Sequence, residues 1–500
     1  MLFSFGLAAL FALVASVRPG VDITIGEFSP PRSVPTNTGV WFVTGQTEKG
    51  PLAPVMIRSL SEYINKFGDR VSYGFLYDAL EQFFREGGSQ AWISRVVGPA
   101  AVSSSFTLKD ASTVNCLVVS AIGPGAWGNN LKIAVLAGSA GGTFVLQVSD
   151  TNGILETSPD LLDKAAAFAW AQYSDYIVLT DAASLLDPAV IAAQSLIGGT
   201  DDRASITDTE WLVALNRFYP GLGPGQVSAP GRTTDTGHTQ LVQHAVAQGR
   251  RAVLDAPDTN TVATIKASAA GAGSALDRRY AGLFWPWESI PGLTSGTTRT
   301  VPPSAHVSGA IAKNIGNGMS PSAPSAGVKG ESRYALGVSR PAAGEVSISE
   351  IQRQDLNSSG VNVIRVLFGA VRIYGWRSLT NPVTDPDWLD FGAAGVVMAI
   401  EAEAGEIMEG FMFGEIDGKG HYLGDLKAAL NGMLLRWYNE GSLFGESPDD
   451  AFYVDVGNQV NTQETLAANE VHALISIRTS PFAELIQLTI IKKPITEAVV

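Results

Sequence analysis

The spacing of apolar positions changes several times along the chain, and each change marks a new kind of element. Residues 39–97 begin with the unbroken apolar run GVWFVTG, which reads as a buried strand. SLSEYINKFG and YGFLYDALEQFFREGG follow with helical spacing. Phe75, Leu76, Leu80 and Phe83 share a face there, and Gly87-Gly88 supplies a stop. QAWISRVV returns to strand character. This order of strand, helix, helix and strand predicts layered α/β packing.

From 100 to 200 the period shortens. CLVVSA, NLKIAVLA, TFVLQVS and YIVLT are short strands between Gly- and Asn-rich turns, interrupted by one helical patch, LLDKAAAFAWA. Between 200 and 380 helices such as TDTEWLVALNRF and HTQLVQHAVAQG alternate with strand-like RRAVLDAP and LFWPW. Residues 316–330 are rich in Gly, Ser and Pro and read as a loop. Residues 391–413 and 421–440 are helical. The second carries an apolar stripe of Leu423, Leu426, Leu430, Met433 or Leu434, and Trp437, with Gly441 just past its end.

Strict alternation appears at both ends. Val21, Ile23 and Ile25 alternate with Asp22 and Thr24, and Pro30, Pro31 and Pro35 set this strand off from the body. VHALISIR starts at 471, and ELIQLTII starts at 484 with Ile486, Leu488 and Ile490 on one face. No repeat of solenoid length occurs.

Composition narrows the function classes. Hydrophobic residues at 45% and charged residues at 16% describe a globular chain able to bury large cores. A formal net charge of -14 argues against a general nucleic-acid binder and against docking on anionic membranes. The single cysteine, Cys116, lies in an apolar run and reads as a buried small hydrophobe. Met1 to Ser16 is almost wholly apolar but has no preceding basic residue. It is also shorter than the roughly 20 residues that span a bilayer as a helix. It reads as an apolar arm. The alternative is a secreted α/β hydrolase with residues 1–16 as its signal peptide.

Candidate chemistry fails on context. Gly123, Gly125 and Gly128 match GxGxxG as a string but lead into a strand, so no helix N-terminus awaits a pyrophosphate. Neither a Walker A loop, nor GxSxG, nor HExxH is present. His238, His244, His306, His421 and His472 show no metal-binding spacing and read as structural or surface residues. Glu401, Glu403, Glu406 and Glu409 cluster on one helix without a neighbouring proton partner, which reads as a solvated or partner-facing acidic surface. No catalytic residue, metal ligand or cofactor is expected.

Several stretches, in order from about residue 18 to the end, resemble the contractile tail sheath family of contractile phage tails, R-type pyocins and related injection systems. They are RPGVDITIGEF, GPLAPVMIRSLSEYINKFG with FFREGGSQAWISRVVG, PGAWGNNLKIAV, LIGGTDD, VPPSAHVSGAIAK, VNVIRVLFGAVRIYGWRSL and LRWYNEGSLFGESPDDAFYVDVGNQVNT. The apolar start, the acidic 401–409 helix and the Asp417-Gly418 loop depart from the family pattern.

The resemblance implies a mixed α/β (α+β) sheath core built from N- and C-terminal regions, with an inserted β-rich domain. The expected divisions are an N-terminal arm with linking strand at 1–38 and an N-terminal part of the α/β core at 39–99. An inserted β-rich outer domain follows at 100–200, a central α/β domain at 201–380, and a C-terminal core domain with an arm strand at 381–500. It further implies a structural subunit that polymerises into stacked six-fold rings around an inner tube and contracts to drive that tube through a target envelope. Val21, Ile23, Ile25, Leu485, Ile486, Leu488 and Ile490 would form inter-subunit arm strands, and Glu403, Glu406 and Glu409 a tube-facing helix. The implied partners are further copies of the chain in hexameric rings and a helical tube, the inner tail tube protein, and baseplate and tail terminator proteins. Direct nucleic-acid contact and stable membrane insertion are not expected. The implied location is a virion tail assembled in the host cytoplasm.

Overall fold

The computed structural model describes residues 37–259, 261–339, 349–488 and 490. The expected N-terminal strand with Val21, Ile23 and Ile25 lies outside them.

An eight-stranded sheet organises the body. Its strands, in spatial order, are Ala370–Ile373, Val361–Leu367, Ala281–Trp285, Arg251–Asp255, Gln226–Ser228, Trp41–Gly45, Ala91–Arg95 and Val55–Ile57. The six inner strands are parallel, and each outer strand is antiparallel to its neighbour. Parallel strands need both faces covered. Accordingly, every residue of Trp41–Gly45, Arg251–Asp255 and Ala281–Trp285 is buried. Side chains alternate between two cores. Phe42, Ala252, Leu254, Leu283 and Trp285 face one, while Trp41, Val43, Val253 and Phe284 face the other side.

The first helices form where the pattern places them. Ser59 caps Leu60–Phe67 by accepting from the Glu62 amide at 3.1 Å. Leu76–Glu86 ends at Gly87, whose φ of 108° suits a glycine. The apolar face of Leu76–Glu86 is buried, as expected, but so is a polar row of Asp78, Gln82 and Glu86. Asp78 pairs with Arg70 and with Arg299 at 2.8 Å. Gln82 donates to Glu288. Glu86 accepts from the amides of Arg333 and Tyr334. This seam fastens the helix to the segment 288–338 through ion pairs and hydrogen bonds, while Gln82 Oε1 stays buried without a hydrogen-bond partner among the described residues.

Residues 105–196 build a separate pair of antiparallel sheets around their own apolar cluster, which includes Leu117, Val119, Ile133, Leu146 and Ile177. The chain enters and leaves side by side: Val102 pairs with Thr200 and Ser105 with Ile197. At this neck the buried Arg95 guanidinium donates to the carbonyls of Gly50 at 3.0 Å and Pro124 at 2.6 Å.

The mixed α/β class matches the expectation. The large sheet, however, draws strands from both 41–95 and 226–373, so the segments assigned to 39–99 and 201–380 share one sheet. The reason is topological: the strand Trp41–Gly45 pairs with Gln226–Ser228 across the whole β-rich insertion.

The C-terminal region pairs two long helices, Phe391–Glu409 and His421–Asn439, with a two-stranded ribbon. Leu426, Leu430, Met433, Leu434 and Trp437 are buried, so the predicted stripe is the packing face. The strand predicted from 471 spans Leu474–Ile477. The strand predicted from 484 does not form among the described residues, where 484–488 and 490 have no strand pairing.

Candidate functional site

The glycine string at 123–128 is built for packing. A Cβ at Gly123 would lie 2.0 Å from the Gly50 carbonyl oxygen, and one at Gly128 would lie 2.3 Å from Ser104 Oγ. The segment Ala126–Asn130 is a short 3-10 turn leading into the strand Lys132–Ala137.

Three histidines are buried in structural roles. His238 Nε2 lies 3.0 Å from the Asp255 carbonyl, and burial pushes its pKa down to about 4. His244 Nε2 lies 2.8 Å from Arg250 Nη1, and burial with that cation beside it takes its pKa down to about 3. His306 Nδ1 lies 2.6 Å from Glu288 Oε1. Burial lowers the His306 pKa, but the adjacent Glu288 carboxylate outweighs it, and the net direction is upward. Among the described residues no group of three His, Cys, Asp or Glu side chains could hold a metal ion. No helix there is long and apolar enough to cross a membrane. Cys116 is buried, with Sγ 3.0 Å from the Leu186 carbonyl oxygen.

The acidic helix is only partly free. Glu403 closes an ion pair with Arg436 and accepts from Trp437 Nε1 at 3.0 Å, tying the two C-terminal helices together. Its carboxylate is thus engaged within the chain while its side chain stays a quarter exposed. Glu406 is half-buried and Glu409 is exposed.

Incomplete structure concentrates in the C-terminal ribbon. Phe452–Asp455 and Leu474–Ile477 pair antiparallel, with Val454 opposite Ile475 and Phe452 opposite Ile477. Val454 is buried, and Ile475 and Ile477 are half-buried against the helix pair. Beyond the ribbon, Arg478 and Ser480 pair with Ala451 and Ser442 through backbone hydrogen bonds of 2.8 and 3.0 Å. The ribbon has two strands and no third on either side among the described residues. Two-stranded ribbons are marginal alone and present unpaired backbone groups at each edge.

Next to it lies an open groove of about 1060 Å³, lined by Trp388, Ile400, Ile475, Ile477, Phe482 and Glu484 among others. At its mouth Asp390 caps the helix Phe391–Glu409, and burial raises its pKa to about 7. Glu484 fixes the point where the tail leaves the body. Arg377 grips it with Nε at 2.9 Å and Nη2 at 2.6 Å, and Asn357 donates at 2.7 Å. Burial works against the Glu484 charge, but these donors hold its pKa below the ordinary carboxylate value. Past this anchor Leu485, Ile486, Leu488 and Ile490 are 75%, 85%, 82% and 82% exposed. Four large apolar side chains within six residues are thus largely uncovered among the described residues.

No family model matches the sequence, and no curated protein matches it. Solved structures do. A sheath tail protein from Listeria innocua superposes with a TM-score of 0.59 at 13% identity, over 90% of this chain and 96% of that one. The contracted helical sheath of the anti-feeding prophage gives 0.55 at 16% identity, over 96% and 100%. The contracted sheath complex of an extracellular contractile injection system, PVC, gives 0.54 at 15% identity, over 96% and 98%. The chain thus has the fold of contractile sheath proteins over nearly its whole length, and the resemblance read from the sequence holds at the level of fold.

Proposed function

We propose that this chain is a structural sheath subunit, polymerising in stacked six-fold rings around an inner tube and contracting to drive that tube through a target envelope. The observation that carries the reading is end-to-end coverage: the fold shared with contracted sheath subunits includes the body, the β-rich insertion and the C-terminal unit. A shared sheet alone would say little, because one fold hosts many functions.

The C-terminal ribbon would be the receiver. Arm strands from neighbouring copies, residues 21–25 and 485–490, would add to its two open edges, each supplying main-chain hydrogen bonds and a row of apolar side chains. This supplies a cover for Leu485, Ile486, Leu488 and Ile490, which the chain itself leaves exposed. Contraction would repack whole bodies while the shared strands keep the lattice linked, driven by larger contacts and not by a nucleotide. The further partners are the inner tube protein, baseplate and tail terminator proteins, in a virion or particle tail assembled in the host cytoplasm. The helix carrying Glu403, Glu406 and Glu409 would face the tube.

The test is deletion of residues 1–28. The truncated chain should keep the thermal transition of the full chain and lose sedimenting polymers. Unchanged polymers would remove the arm from the account.

A further inference from the structure

A three-stranded sheet lies outside the eight-stranded one. Its strands, in spatial order, are Thr298–Val301, Glu288–Pro291 and Gly337–Val338, all antiparallel. Glu288 opens the central strand, opposite Val301 on one side and Val338 on the other. Whatever grips Glu288 therefore grips all three strands.

The grip comes from two helices outside this small sheet. Gln82, on Leu76–Glu86, donates its side-chain amide to one carboxylate oxygen. His306, on Ser304–Gly316, brings Nδ1 to 2.6 Å from the other. All three side chains are fully buried. His306 Nε2 and Gln82 Oε1 have no hydrogen-bond partner among the described residues. A buried ion pair holds only while its charges and hydrogen bonds offset the water both groups have lost. With nothing on the far side of the ring to support it, the hold on Glu288 depends on the one proton that makes the imidazole a cation.

The neighbouring charges bias that proton. Burial disfavours the imidazolium, but Glu288 and then Glu86, on Leu76–Glu86, favour it and prevail, while Lys313 on the ring's own helix opposes it. Asp255, at the end of Arg251–Asp255, faces Glu288 and accepts from the Ser304 amide at 2.8 Å and hydroxyl at 2.9 Å. Burial, with Glu288 adding to it, outweighs those bonds and pushes the Asp255 pKa up to about 7. His306 and Asp255 therefore both bind protons more tightly in the folded chain. The Asp255 contribution is lost from about pH 4 towards 7, and that of His306 from about pH 6.5 upwards. Other ties survive the loss of the proton. Asp78 still pairs with Arg299, and Glu86 still accepts from the Arg333 and Tyr334 amides. The result is a loosened sheet and not an unfolded chain.

We propose that the Glu288–His306 pair is a proton-operated catch, clamping the small sheet to the two helices while the imidazole is protonated and loosening it when that proton leaves. Loosening admits water to the polar row of Asp78, Gln82 and Glu86, which is buried in the closed state.

The test is hydrogen exchange on the full chain at about pH 6 and about pH 9, with each rate divided by the intrinsic rate at that pH. Opening of segments 288–301 and 331–338 should rise roughly tenfold or more between the two. His306→Gln, which carries no charge, should open at pH 6 as readily as wild type does at pH 9 and lose most of the dependence. Equal opening of wild type at both pH values would overturn the catch. So would a His306→Gln chain that keeps the full dependence, because control would then belong to Asp255. Should that variant not fold, the titration of the His306 ring in the wild-type chain, followed by NMR, decides. A ring still charged above the ordinary histidine range supports the catch, and a ring already neutral at pH 6 overturns it.

Discussion

The large sheet and the C-terminal ribbon solve the same problem in opposite ways. Each is a set of strands with apolar faces. In the sheet, helices cover both faces and antiparallel strands flank the parallel ones. Phe284, at 0% exposure, packs edge-on to Trp376 and Phe391. The ribbon has two strands, Tyr453 and Leu474 more than half exposed, and an uncovered apolar tail beyond Glu484. The sheet has both faces covered within one chain, whereas the ribbon, on the proposed reading, would be completed by strands of other copies. Removing an apolar side chain should therefore cost stability in the first region and assembly in the second.

Substitution in the sheet gives the largest stability effect. Phe284→Ala should destabilise the monomer by about 3–5 kcal/mol, read by urea denaturation, because it empties a three-ring cluster. An unaltered midpoint would mean that this core is not close-packed. His306→Ala should cost about 3 kcal/mol, since the buried Glu288 then loses its imidazole partner and keeps the Gln82 amide. Leu488→Asp with Ile490→Asp should change monomer stability by no more than about 0.5 kcal/mol, as exposed positions do. The same pair should nearly abolish sedimenting polymer. A large fall in melting temperature instead would show that the tail packs on its own body.

Two smaller effects refine the boundary between the regions. Asp390, with a pKa raised to about 7 by burial, binds its proton more tightly in the folded chain than in the unfolded one. Its contribution is fully present below about pH 4 and is lost as pH rises towards 7. Asp390→Asn removes that loss, so its melting temperature relative to wild type should climb between pH 4 and 7; a flat difference would contradict the burial of this carboxylate. Glu403→Ala should cost about 1 kcal/mol or less, because its partner Arg436 is nearly half exposed to solvent.

Much of this was legible in the sequence, for physical reasons. Elements with one wet face declare their period, and the strands Asn115–Ala121, Lys132–Ala137, Phe144–Ser149 and Ile177–Asp181 and the helix His421–Asn439 were readable on that basis. The helix Ser304–Gly316 was not. It is buried at every position from Ser304 to Ala312, so no polar face marks its turn. The polar seam of Asp78, Gln82 and Glu86 was also missed, because polar residues on a helix ordinarily face water; their four-residue spacing was the available signal. The alternation of Ile486, Leu488 and Ile490 predicts a strand that the described residues do not form, because alternation marks strand propensity and supplies no pairing partner. The glutamates of the acidic helix were visible as a cluster. The pairing of Glu403 with Arg436 was not, because it joins residues of two different helices.

The most direct test is a reconstruction of the assembled particle at a resolution that separates strands. The account predicts a C-terminal sheet in which Phe452–Asp455 and Leu474–Ile477 are flanked on both sides by strands of two other copies. A polymer in which this ribbon stays two-stranded, with residues 485–490 folded back on their own subunit, would contradict it.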